Sequence, residues 1–139
     1  MAERINLEVP ATQSAFAIVR VVLGPLCARL DFSIDEIDDV YLATGELLRS
    51  ALRGEPLERL RVEMLVEDDN LEVCAGSFTS QALRDELKPP EEVADCLDLC
   101  LLLRRTVDEF DVEGEGQAYR VVLRKRRNVL HQRRREDKA

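Results

Sequence analysis

The chain is predicted to be an α+β protein, a two-layer sandwich in which a mostly antiparallel sheet is covered on one face by helices. Three observations lead there. Residues 4–9, 59–67, 71–75 and 117–125 read as strands, mostly with period-two alternation of apolar and polar residues; in residues 16–30 and 34–53 apolar residues recur every three or four positions. The segments follow one another as β, α, α, β, β, then α, β, an order that places the helices together against one side of a sheet.

The first strand, Arg4 to Val9, stops at Pro10, which cannot donate to a ladder. Phe16, Val19, Leu23, Leu26 and Leu30 then mark an amphipathic helix opening near Ala11 or Thr12, with Pro25 expected to kink it or relax its last turn. Ser33 and Glu36 form a capping box for a second helix, Asp35 favours its positive end, and Gly54 closes it. Its inner stripe is Ile37, Tyr41, Thr44, Leu48 and Ala51. Arg59 to Glu67 and Leu71 to Ala75 form a hairpin across Asp68-Asp69-Asn70. Residues 76–91 are irregular, with a helical turn at Gln81 to Glu86, before Pro89-Pro90. A third main helix is expected over about Glu91 to Phe110, and a last strand over Gln117 to Lys125 after the turn Gly114-Glu115-Gly116.

With 139 residues and 45% hydrophobic content, the sequence supports one domain with a real core, residues 1–125, and a basic, flexible, solvated tail, residues 126–139. Residues 124–139 carry a local charge of +6 and the remainder −14. So acidic a body repels nucleic acid and suits a basic partner surface, so no direct nucleic-acid contact is expected. No run approaches the roughly 18 apolar residues of a membrane span, and no signal segment opens the chain, which predicts a cytoplasmic protein with no membrane contact. Cys27, Cys74, Cys96 and Cys100 show no paired Cys-x-x-Cys spacing and are read as reduced thiols. Cys96 and Cys100, even with His131, sit in an apolar run, so no metal site is expected.

Residues 30–54, Leu-Asp-Phe-Ser-Ile-Asp-Glu-Ile-Asp-Asp-Val-Tyr-Leu-Ala-Thr-Gly-Glu-Leu-Leu-Arg-Ser-Ala-Leu-Arg-Gly, and residues 104–113, Arg-Arg-Thr-Val-Asp-Glu-Phe-Asp-Val-Glu, carry a resemblance. They are similar to the RsbW-type anti-sigma factor serine kinases, a branch of the GHKL (Bergerat) ATPase superfamily. The similarity runs over nearly all of residues 4–125. In that family a Glu-x-x-x-Asn box supplies a general base and a magnesium ligand. Here the resemblance puts the base, now vestigial, at Glu46, and Ser50 replaces the asparagine.

The family's Asp-x-Gly-x-Gly box matches Cys74-Ala75-Gly76-Ser77-Phe78. The adenine-selecting aspartate becomes Ala75 in one register and Cys74 in the other, which retains Gly76. Ser50 and Gly76 are thus remnants of cofactor-binding positions. The glycine-rich lid matches Asp95 to Cys100, without glycine and with Asp95 and Asp98 opposing phosphate. Phosphoryl transfer rests on positioning and electrostatics, so these losses predict no kinase activity and no bound ATP or magnesium.

What the resemblance leaves is protein binding. It implies an anti-sigma factor that sequesters a sigma factor and is released by an anti-anti-sigma antagonist of the STAS type, commonly as a homodimer. A first-helix arginine that contacts partners in the family falls on Arg20, with Gln13, Phe16 and Ala17 on adjoining turns. Two rivals make different demands. An active serine-protein kinase requires ATP and magnesium and a serine on a small antagonist. A basic-tailed nucleic-acid binder requires affinity that vanishes with the tail and falls with salt.

Overall fold

The computed structural model describes residues 2–54, 56–88, 99–114 and 116–128, which form five strands and four helices. Their order is β1 (Glu3–Pro10), α1 (Phe16–Arg29), α2 (Ile34–Gly54), β2 (Arg59–Glu67), β3 (Asn70–Phe78), α3 (Gln81–Glu86), α4 (Leu99–Thr106), β4 (Glu109–Glu113) and β5 (Tyr119–Arg126). The strands make one sheet in the order β1-β2-β3-β5-β4, and every pairing is antiparallel.

Strand alternation divides the sheet into two faces. Leu60, Val62 and Met64 of β2, Leu71, Val73 and Ala75 of β3, and Tyr119, Val121 and Leu123 of β5 are buried in one core with Val19 and Leu23 of α1, Leu47 and Leu48 of α2, Leu83 of α3 and Leu103 of α4. The opposite face is charged. Arg4 pairs with Glu63, Arg120 with Glu113, and Arg124 with Glu72 and Asp111. The stems of such long side chains cover apolar surface, and Val122 on this face is buried although it lies outside the core cluster.

The capping box forms as expected: Glu36 N–H donates to Ser33 Oγ at 3.1 Å and Ser33 N–H to Glu36 Oε1 at 2.9 Å. α1 begins later than expected, at Phe16, because Ala15 N–H is taken by Thr12 O in a preceding turn; Pro25 lies inside α1 without ending it.

The expectation of a helix reaching Phe110 is corrected. α4 stops at Thr106, and Glu109–Glu113 forms the edge strand β4 against β5. Asp108 fixes the changeover, its backbone N–H donating to Arg124 O at 3.0 Å and its carboxylate accepting from Arg126 N–H at 2.6 Å. A ladder with β5 satisfies more backbone groups there than another helical turn at a solvent edge. The first half of the expected helix, residues 91–98, lies outside the described residues, as do residues 129–139 of the basic tail.

Candidate functional site

α1 and α2 pack with a groove of about 530 Å³ between them, lined by Gln13, Phe16, Ala17 and Arg20 on one side and by Asp38, Tyr41, Leu42 and Glu46 on the other. The four residues marked in the first helix are therefore brought together, and Glu46 joins them. Arg20 is exposed, with its guanidinium carbon 4.7 Å from the centre of the Tyr41 ring, a cation–π contact that fixes a long side chain across the groove. Gly24 makes this possible. A Cβ at that position would stand 2.5 Å from Tyr41 Oη, so glycine one turn after Arg20 lets the tyrosine lie against α1.

Sequence periodicity assigned Tyr41 only to the core stripe, and Asp38 and Leu42 to no site. The Arg20, Gly24 pair at i, i+4 was the available signal, since it leaves room for a ring beside a cation. Apolar surface continues outward from the groove: Val21 is 72% exposed and Ile18 51%, so α1 is apolar on more than its buried face.

The remaining marked positions lie elsewhere. Glu46 is half-buried and its carboxylate accepts a bond from Arg49, one turn on. Ser50 is 3% exposed, and its hydroxyl accepts from Arg53 Nη2 at 2.9 Å. Gly76 is on the far side of the sheet, in a cavity of about 810 Å³ shared with Arg61, Cys74 and Arg120. A Cβ on Gly76 would meet Arg120 Cβ at 2.9 Å, so close strand passage explains this glycine.

The two sequence registers of the third strand can now be told apart. Ala75 faces the helices and is buried in the core cluster, while Cys74 lines the open-face cavity. A register shift between Gly76 and Phe78 then turns Phe78 inward, where it is buried beside Tyr119 with ring centres 6.0 Å apart. Tyr119 Oη donates to Ser80 O, and Ser80 caps α3 through Leu83 N–H at 3.1 Å. Side chains therefore pack the inner end of β3 against α2 and α3. Asp95, Asp98, Cys96 and His131 lie outside the described residues; Cys100 is buried in α4. Among the described residues no cluster of three or more His, Cys, Asp or Glu side chains is placed to hold a metal ion, and no helix is long and apolar enough to cross a membrane.

This architecture and this sequence have relatives. The chain is 29% identical over 99 residues to the serine-protein kinase RsbW of Listeria monocytogenes serotype 4a, a match covering 66% of this chain and 63% of that protein. With the RsbW of Bacillus pumilus it is 25% identical over 129 residues, covering 81% of this chain and 79% of the relative. The crystal structure of the RsbU and RsbW domains of a Mycobacterium tuberculosis protein superposes with a TM-score of 0.59 at 16% identity, over 89% of this chain and 32% of that one.

In sequence the chain is similar to the RsbW-type serine-protein kinases, and it shares the fold of an RsbW domain. No protein-family model matches it. The match spans less than two thirds of the length of the Listeria RsbW. Within an RsbW-type fold, α2 carries Glu46 and Ser50 one turn apart on one face but differently covered: Glu46 opens to the α1–α2 groove and Ser50 is buried.

Proposed function

We propose that the chain, as a single domain followed by a basic tail, is a cytoplasmic anti-sigma factor that works by binding alone. It sequesters a sigma factor in the α1–α2 groove, forms a homodimer, and is released when an anti-anti-sigma antagonist competes for the same surface. The observation that carries this reading is Arg20, held across the groove by Tyr41 with Phe16 and Ala17 alongside. An arginine fixed on an aromatic face, ringed by apolar side chains, has the composition of a binding hot spot, because little side-chain entropy remains to be lost on association.

A nucleotide does not fit the described residues. The position expected to ligate magnesium is a buried serine whose hydroxyl is occupied by Arg53, the adenine-selecting carboxylate is replaced by Ala75, and Ser77 stands where the family has its first glycine. No phosphoryl-transfer step is derived through this chain. Release must then come from competition, or from modification of the antagonist by another kinase. The acidic body speeds encounter with a basic sigma-factor surface, an effect that salt weakens.

The test is capture of sigma factors by the purified chain in buffer free of nucleotide. A complex with the wild type, weakened about tenfold or more by Arg20→Ala, is the expected result; equal capture by both proteins, or capture only with ATP, contradicts it. The second reading, an active serine-protein kinase, draws on Glu46 and on the name the relatives carry. It requires labelled phosphate to move from ATP to a serine of a STAS-type antagonist.

A further inference from the structure

β1 is the first strand of the sheet and pairs with β2 alone among the described residues, so its other side presents unpaired backbone N–H and C=O groups. Sheet edges are ordinarily guarded against such pairing. The opposite edge is: β4 has five residues, of which Glu109, Asp111 and Glu113 are acids, and a copy of itself laid antiparallel about Asp111 sets Glu109 against Glu113 and Asp111 against Asp111. β1 carries no such guard. It runs eight residues with no lysine, glycine or bulge, and its one proline, Pro10, comes last.

Its side chains alternate as on a half-covered strand. Ile5 and Leu7 pack against the core while remaining partly exposed, and Arg4, Asn6 and Glu8 are exposed on the open face. That order is self-complementary. In an antiparallel pair of two β1 strands centred on Asn6, Arg4 of each copy lies opposite Glu8 of the other, Ile5 opposite Leu7 and Asn6 opposite Asn6, with the two members of every pair on the same face. At the ends Val9 meets Glu3, whose carboxylate Arg29 already holds. Centring on Ile5 or Leu7 sets neither charge against its opposite, and centring on Arg4 or Glu8 sets like on like. Within each chain Arg4 also reaches Glu63 at 3.1 Å and Glu8 reaches Arg59 at 4.0 Å, so the new pairs extend a row of alternating charge across the open face.

We propose that β1 is a self-recognition edge: two copies of this chain join β1 to β1, antiparallel about Asn6, in one continuous sheet of ten strands, five from each copy. This rests on the homodimer proposed above and gives it an interface. A two-fold axis normal to the sheet closes the assembly at two copies and leaves both helix layers on the same side. Main-chain bonds supply the affinity, and the Arg4–Glu8 pairs fix the register. One strand pair is a small interface, so a dissociation constant of about 1–100 μM is expected.

Disulfide trapping of the full chain tests the register, with oxidised glutathione as oxidant and Cys74→Ser and Cys96→Ser in every protein; the buried Cys27 and Cys100 stay. Facing residues of an antiparallel pair have Cα atoms about 4.5–5.5 Å apart, within disulfide range, whereas Arg4 of one copy stands about 13 Å from Arg4 of the other. Asn6→Cys is expected to link to itself, and Arg4→Cys to link to Glu8→Cys in a mixture but neither to itself. In sedimentation velocity the unmodified chain is expected to pass from monomer to dimer as concentration rises, Arg4→Glu to weaken dimerisation about tenfold, and adding Glu8→Arg to restore it. A dimer whose Asn6→Cys variant links no faster than the Arg4→Cys and Glu8→Cys proteins alone overturns the edge while leaving the homodimer standing. A wild-type chain that stays monomeric to about 300 μM overturns both. Open-ended growth beyond two copies overturns the two-fold pairing and assigns the edge to β4 of the next copy.

Discussion

Tyr41 connects sequence to site most directly. It is half-buried against α1, its hydroxyl end sheltered by Gly24 and its face occupied by Arg20. If the ring aims the guanidinium, Tyr41→Ala should weaken sigma-factor binding about three- to thirtyfold, while Tyr41→Phe, which keeps the face, stays within about twofold of wild type. Calorimetric titration of the three proteins checks this, and equal losses in both variants would point to the hydroxyl instead. Arg20 and its neighbours were singled out in the sequence by the family resemblance, and the structure brings them to one groove. Tyr41 was not, since a tyrosine on a helical stripe reads as core until a second helix shows which of its faces is covered.

Cys27 makes a prediction of a different kind. Burial, and secondarily the nearby Glu36 carboxylate, push its thiol up to about 11. Folding thus favours the neutral thiol: the contribution to stability is whole below the ordinary value of 9.0 and is lost as pH rises through about 11. Alkylation of the native chain at pH 8 should mark the half-buried Cys74 well before Cys27, and denaturant midpoints should fall as pH climbs above about 9. Labelling of Cys27 at the rate of Cys74 would contradict this burial.

At the scale of elements, the start of α2 concentrates several stabilising contacts. Ser33→Ala removes one cap bond and should cost about 0.5–2 kcal/mol in urea unfolding. Glu36→Ala should cost more, because one oxygen of Glu36 completes the box and the other accepts from Asn128, 92 residues away in sequence. Equal losses for the two substitutions would mean that the Asn128 contact contributes nothing. The capping box, the β2–β3 hairpin and the short helix at Gln81 were readable because local chemistry decides them. β4 was not: Glu109 to Glu113 alternates as a strand, but it follows directly on a strong apolar helical run, and only its pairing with β5 selects the extended form. The register of β3 was likewise open until the core placed Ala75 inside and the bulge turned Phe78 after it.

For the whole molecule, the two layers divide the labour. The sheet lends its inner face to the core and its outer face to ion pairs, and the helices supply the groove. The layering was legible from the order of periodic segments, because few arrangements bury helices and strands in that order. That Glu46 stays open while Ser50 is buried was not, because one helical turn of spacing puts two residues on one face without saying how far along that face the rest of the chain covers it. The central claim is that an RsbW-type fold here grips a protein without a working nucleotide pocket. Calorimetric titration of the full chain with ATP and magnesium tests it most directly: no saturable heat up to about millimolar ligand is expected, and a dissociation constant of about a micromolar or below would contradict it.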